Sequence, residues 1–153
     1  MNFKNVHFEK AKCKFAYPQS LVKEYDHWMW LIRPSQPTLG SSVLLSKDNV
    51  LNFGDLDQSS FGELKLIFFE MEKTLMKCFS YTKINHLMLM MQDPVVHFHT
   101  IPRYETSRNM LNKEFKDFGF PGVPDLEKNI VLSKIEIEFL KKKIKKNLES
   151  VQS

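Results

Sequence analysis

The sequence predicts an α+β domain built on an antiparallel sheet. Three observations carry this: aromatic and β-branched runs of strand length, two apolar stripes at helical spacing, and an element order that places one helix between strand pairs and another at the end. The chain has 153 residues, enough for one core and too few for two large domains. The expected organisation is therefore a single domain over residues 1–153. Thirteen Phe and eight Met supply apolar surface, and five Gly with seven Pro give no repeat, which excludes a disordered or fibrous chain.

Residues 26–32, Asp-His-Trp-Met-Trp-Leu-Ile, are rich in strand formers and stop before Pro34. A wide loop over 34–40 and an apolar stretch over 42–45 then predict a hairpin. From Ser60 the period changes. Phe61, Leu64, Phe68, Met71, Leu75 and Phe79 line one face of a helix over 60–79, and Ser60 with Glu63 forms the pattern of a capping box. Residues 82–92 are apolar on both alternating faces, as expected of a central strand covered on both sides, and Asp93-Pro94 turns it. A strand over 95–101 follows, with Val95, His97 and His99 on one face and Val96, Phe98 and Thr100 on the other.

Beyond Pro102 the pattern is irregular. Gly119, Pro121, Gly122 and Pro124 break any long helix, and one short helix is expected near 107–117. A final helix starts at Ser133, where Ser133 and Glu136 repeat the capping pattern, and runs on with Ile137, Leu140, Ile144 and Leu148 on one face. The lysines at 141–143, 145 and 146 fall on its polar side near the C-terminus, where cations favour the helix dipole, so they read as a solvated face.

The formal charge is +4, which tolerates an anionic ligand without demanding one, and a nucleic-acid partner is not expected. Cys13 and Cys78 are far apart and fit neither a disulfide framework nor a cysteine zinc site; they read as reduced thiols in a cytoplasmic protein. The longest apolar runs are about five residues, so no signal peptide or membrane span is expected.

His97 and His99, at i and i+2 on a strand, share one face and can act on a single group. Imidazole is a nucleophile near neutral pH, with an unperturbed pKa of about 6.5. The spacing alone leaves a catalytic pair, a metal pair and two hydrogen-bonded core histidines equally open.

At this point the sequence resembles the histidine triad (HIT) superfamily of nucleotide hydrolases and transferases, whose signature alternates three histidines with apolar residues and often continues in Pro-Arg. His97 and His99 stand where the second and third histidines belong, and Pro102-Arg103 follows in register. Gly40 at a strand start, Asn52-Phe53-Gly54-Asp55-Leu56 before a helix, and Met91-Gln92-Asp93 extend the similarity upstream, over about residues 26–104. The chain looks closest to compact, diadenosine polyphosphate hydrolase-like bacterial members.

The resemblance implies a sheet of about five strands with one long helix packed on it, and a homodimer. It also implies hydrolysis of a nucleoside phosphate derivative, such as a dinucleoside polyphosphate or a phosphoramidate, through a nucleotidyl intermediate on His97. The Nδ1 atom would be oriented by the carbonyl of residue 95, leaving Nε2 free to attack; His99 would bind phosphate oxygen or assist the leaving group. Gln92 is the expected phosphate contact and Arg103 a further substrate-binding candidate. No cofactor is required, although a divalent cation could accompany the substrate's phosphates.

Three positions depart from the family pattern. Val95 replaces the first histidine, only Asp93-Pro94 stands where a glycine-rich phosphate loop is usual, and Arg33 falls near an asparagine that many members use on the ribose. The alternative is thus a nucleotide-binding or interaction module without turnover on the same fold.

Overall fold

The computed structural model describes residues 2–153. In chain order the elements are α1 (Phe3–Lys14), β1 (Leu21–Glu24), β2 (Trp28–Ile32), β3 (Ser35–Gln36), β4 (Ser42–Ser46), a 3-10 turn (Phe53–Asp55), α2 (Gln58–Phe79), β5 (Lys83–Leu87), β6 (His97–Arg103), β7 (Arg108–Met110), β8 (Lys113–Phe115), β9 (Ile130–Val131) and α3 (Lys134–Gln152). Five strands form one antiparallel sheet in the order β1-β2-β4-β6-β5, so the fold is α+β as expected.

Register decides which side chains meet. Leu45 pairs with His97 and Val43 with His99, while Met29 and Leu31 pair with Leu45 and Val43. Side chains alternate across a strand, so these residues form rows on one face of the sheet. The opposite face carries Trp28, Trp30, Ile32, Leu44 and Phe98, and α2 and α3 cover it with Leu64, Ile67, Met71, Leu75, Ile137, Leu140, Ile144 and Leu148 in the main core. The indole N–H groups of Trp28 and Trp30 donate to the Ser60 carbonyl and the Ser42 hydroxyl, so both rings are core residues. Gly40, at φ +87°, turns the chain two residues before β4 under the ring of Phe79, where a Cβ would come within 2.8 Å of ring carbons.

The histidine face has its own cover, α1, which lies outside the expected elements. Ala11 and Phe15 pack there on Met29, Leu31, Val43, Leu45 and Val95 in a second, smaller core. Phe8, Ala11 and Phe15 are spaced by three and four residues, a short apolar stripe among charged neighbours.

Four other expectations are corrected. The helix α2 begins at Gln58, with Asp57 at its N-cap. Ser60 does not cap it: its hydroxyl donates to the Asp48 carboxylate, and Glu63 accepts from the N–H groups of Asp26 and His27, so both side chains tie the helix to neighbouring turns. The strand expected over 82–92 ends at Leu87 and pairs only with β6, so it is an edge strand; its half-buried His86 and Asn85 suit that position. Residues 107–117 form the β7–β8 hairpin in place of a helix, because Leu111 and Asn112 both take positive φ, the geometry of a two-residue turn. Finally, β6 runs through Pro102. This residue lies past the last β4–β6 pair and keeps a partner only on the β5 side, where it stands opposite Ile84.

The C-terminal helix agrees with its pattern: Ser133 caps it, its hydroxyl accepting from the Glu136 N–H at 3.2 Å. Among the described residues, no helix is long and apolar enough to cross a membrane.

Candidate active site

His97 and His99 project from β6 on the same side, with ring centroids 4.8 Å apart. The carbonyl of Val95 lies 2.6 Å from His97 Nδ1, and the two Nε2 atoms are 3.2 Å apart. These contacts dictate the tautomers. A carbonyl only accepts, so His97 Nδ1 carries the proton and its Nε2 holds the lone pair. The Nε2–Nε2 contact is then a hydrogen bond only if His99 Nε2–H donates. His99 Nδ1 is left as an acceptor, buried and without a partner.

Both rings are enclosed, His97 at 1% exposure and His99 at 8%. Burial pushes the His97 imidazole below its ordinary value, opposed by the Val95 carbonyl and by Asp93. Burial and the neighbouring His97 push His99 further, down to about 3. The pair is therefore neutral at pH 7, as a nucleophile must be.

Phe15, one residue past α1, forms the cover, with its ring centroid 6.0 Å from that of His97 and 6.2 Å from that of His99. Lys14 beside it reaches across to Asp93 in a 2.5 Å ion pair. A cleft of about 390 Å³ opens next to this clasp, lined by Lys14, Phe15, Arg33, Gln92, Asp93 and His99, with Leu89, Met91, Leu126 and Glu127 completing its wall.

Gln92 lies on the rim of this cleft, exposed and outside any strand. Arg103 is not brought to it. The guanidinium is buried at the other end of β6, where Nε and Nη2 donate to the two Asp117 oxygens at 2.7 and 3.2 Å and Nη1 donates to Asn85. All three nitrogens are committed to holding β6 against β5 and the following loop. His86 is likewise occupied by Thr100 and Glu72. Met88 and Met90 pack at the core margin, whereas Met91 is exposed at the cleft rim.

Sequence reasoning missed Lys14, Phe15 and Arg33. The first two needed α1 to be read as a helix, and Arg33 stands in the sequence only as a departure from a pattern, with no role assigned to it. Among the described residues, the one group of three side chains placed to share a metal ion is His27, Asp48 and Asp57, at the turns before β2 and before α2. Asp48 there already accepts from Ser60, from the Asp57 N–H and from His27.

No family model and no curated protein matches the sequence. Solved structures do match in shape. A hypothetical histidine triad nucleotide-binding protein from Sulfolobus tokodaii superposes with a TM-score of 0.69 at 18% identity, covering 87% of this chain and 85% of that one. Diadenosine triphosphate hydrolase from Plasmodium falciparum gives 0.66 at 15% identity, covering 89% and 80%. A histidine triad protein from Marinobacter aquaeolei gives 0.61 at 18% identity, covering 86% and 89%. With its five-stranded sheet and paired histidines, the chain has the fold of the histidine triad proteins.

Proposed function

We propose that this chain is a nucleotide hydrolase or nucleotidyl transferase acting on a nucleoside phosphate derivative through a covalent intermediate on His97. One observation carries the reading: the Val95 carbonyl holds His97 Nδ1–H at 2.6 Å, so the Nε2 lone pair of a neutral imidazole is aimed away from the backbone and toward its partner histidine. That lone pair forms a bond to the α-phosphorus as the bond to the leaving group breaks. His99 Nε2–H, which now donates to His97, is placed to turn its hydrogen to a phosphate oxygen. Water then adds to phosphorus, the P–N bond returns its electrons to Nε2, and a nucleoside monophosphate leaves with release of a proton.

Attack requires phosphorus within roughly 3–3.5 Å of Nε2, a place now occupied by the His99 ring and flanked by Phe15. Substrate entry therefore displaces Phe15 and loosens the Lys14–Asp93 clasp. No protein-bound cofactor takes part in this scheme, and a divalent cation carried on the substrate's phosphates is compatible with it. The homodimer belongs to the same proposal; α2 leaves Leu66, Phe69 and Met76 exposed on one stripe, available to a second copy.

His97→Ala is expected to abolish turnover of a panel of dinucleoside polyphosphates and phosphoramidates while leaving the circular dichroism spectrum unchanged. Equal activity of the purified variant overturns the reading. The enclosure of His97 favours a second one, a nucleotide-binding module without turnover. Calorimetric binding of AMP, with no product from the panel, decides for that module.

A further inference from the structure

Arg33 stands at the C-terminal end of β2, its backbone pinned on both sides: the N–H donates to the Ser41 carbonyl and the carbonyl accepts from Gln36 Nε2. Its side chain is half-buried against the cleft beside His99, and Nη1 is buried without any hydrogen-bond partner. Neither carboxylate of the cleft bonds to it, and the Asp93 charge acts on the guanidinium only from a distance. Asp93 is held by Lys14, and Glu127 makes no bond to Nη1. A guanidinium presents five donors and stays charged, so a buried donor without an acceptor is an unfilled position for an anion. His99 Nδ1, more than nine-tenths buried, is a second unpartnered polar atom on the same wall. That acceptor calls for a donor on a ligand, whereas the position for an anion rests on the Arg33 donor alone.

The link from Gln92 to β6 strengthens this. Pro94 has no backbone N–H to offer there, and the N–H of Val96 is already given to the Val50 carbonyl. Phosphate oxygens therefore draw on side-chain donors: Gln92 offers a neutral amide on the rim, and Arg33 is the cation of the cleft outside any ion pair.

We infer that Arg33 binds the phosphate of the leaving group, which makes the site selective for phosphoanhydrides, in which a nucleoside phosphate is bonded to a further phosphate, over phosphoramidates. The inference rests on the reading proposed above. As the His97 Nε2–P bond forms, the P–O bond to the bridging oxygen breaks and its electron pair leaves on that oxygen. An anionic phosphate needs its charge neutralised, which Arg33 supplies. An amine leaving group instead needs a proton, and with both imidazoles neutral at pH 7 the pair holds no strong acid.

Two measurements on the full chain test this. Turnover of diadenosine tetraphosphate and of adenosine 5′-phosphoramidate is compared for the wild type, Arg33→Gln and Arg33→Lys. The polyphosphate is expected to be the better substrate, and its advantage in kcat/KM to shrink by about tenfold or more in Arg33→Gln, the effect of losing one charge-assisted hydrogen bond, with part restored in Arg33→Lys. Calorimetry with AMP and ADP gives a readout independent of chemistry: ADP binds the wild type more tightly, and the gap closes in Arg33→Gln. An unchanged substrate ratio, or ADP binding no tighter than AMP, overturns the role of Arg33. Failure of the wild type to turn over either substrate overturns the proposed hydrolase instead, and the ADP–AMP gap then decides the Arg33 assignment alone.

Discussion

His99 shows how one residue ties stability to pH. Its folded-state value of about 3 lies below that of an exposed imidazole, so between these values the unfolded chain binds a proton that the folded chain refuses. The stabilisation is present in full above about pH 6.5 and is lost as pH falls toward 3, with His97 acting in the same direction. Urea unfolding at pH 7 and pH 4 should register a loss of at most about 3 kcal/mol from His99, and His99→Leu should flatten that difference. The acid limb of kcat/KM should also fall below pH 6.5, because the nucleophile stays neutral there. Arg103 belongs to the opposite class of buried polar residue, one whose donors are all answered. Asp117→Ala leaves that guanidinium uncompensated, and an unfolding titration should show a loss of about 3–5 kcal/mol.

Among the elements, α1 and α3 separate the two kinds of helix signal. The stripe of α3 continues through four turns and starts at a capping serine, so it is legible from Ser133 onward; Ser133→Ala should lower the unfolding free energy by about 1 kcal/mol. By contrast, α1 offers only Phe8, Ala11 and Phe15 as a stripe, and its side chains matter because the sheet already presents Met29, Leu31, Val43 and Leu45 to them. Tertiary packing, which no local pattern announces, makes that helix. Phe15→Ala should cost about 3–5 kcal/mol in urea and speed modification of His97 by diethyl pyrocarbonate, since the ring is the cover of the pair. The β7–β8 hairpin escaped for a related reason: its turn uses Leu111 and Asn112 at positive φ, without the Asn-Gly signal that marks such turns.

Across the whole molecule, the histidine pair and its carbonyl were legible because the alternation of one strand places them, and that alternation is local. The enclosure of the pair was not, because it depends on residues more than eighty positions away, Lys14 and Phe15, folding back over β6. Nor was the commitment of Arg103, whose partner Asp117 follows a hairpin that the pattern did not reveal. Two copies of the chain are expected to join, and sedimentation equilibrium should return the mass of a dimer. The most direct measurement of the central proposal is rapid-quench mass spectrometry of the protein mixed with diadenosine tetraphosphate, followed by peptide mapping at alkaline pH. The peptide carrying His97 should gain the mass of a nucleoside monophosphate less water, with the adduct on the His97 imidazole. An adduct on His99, or turnover without any adduct, would contradict attack by His97.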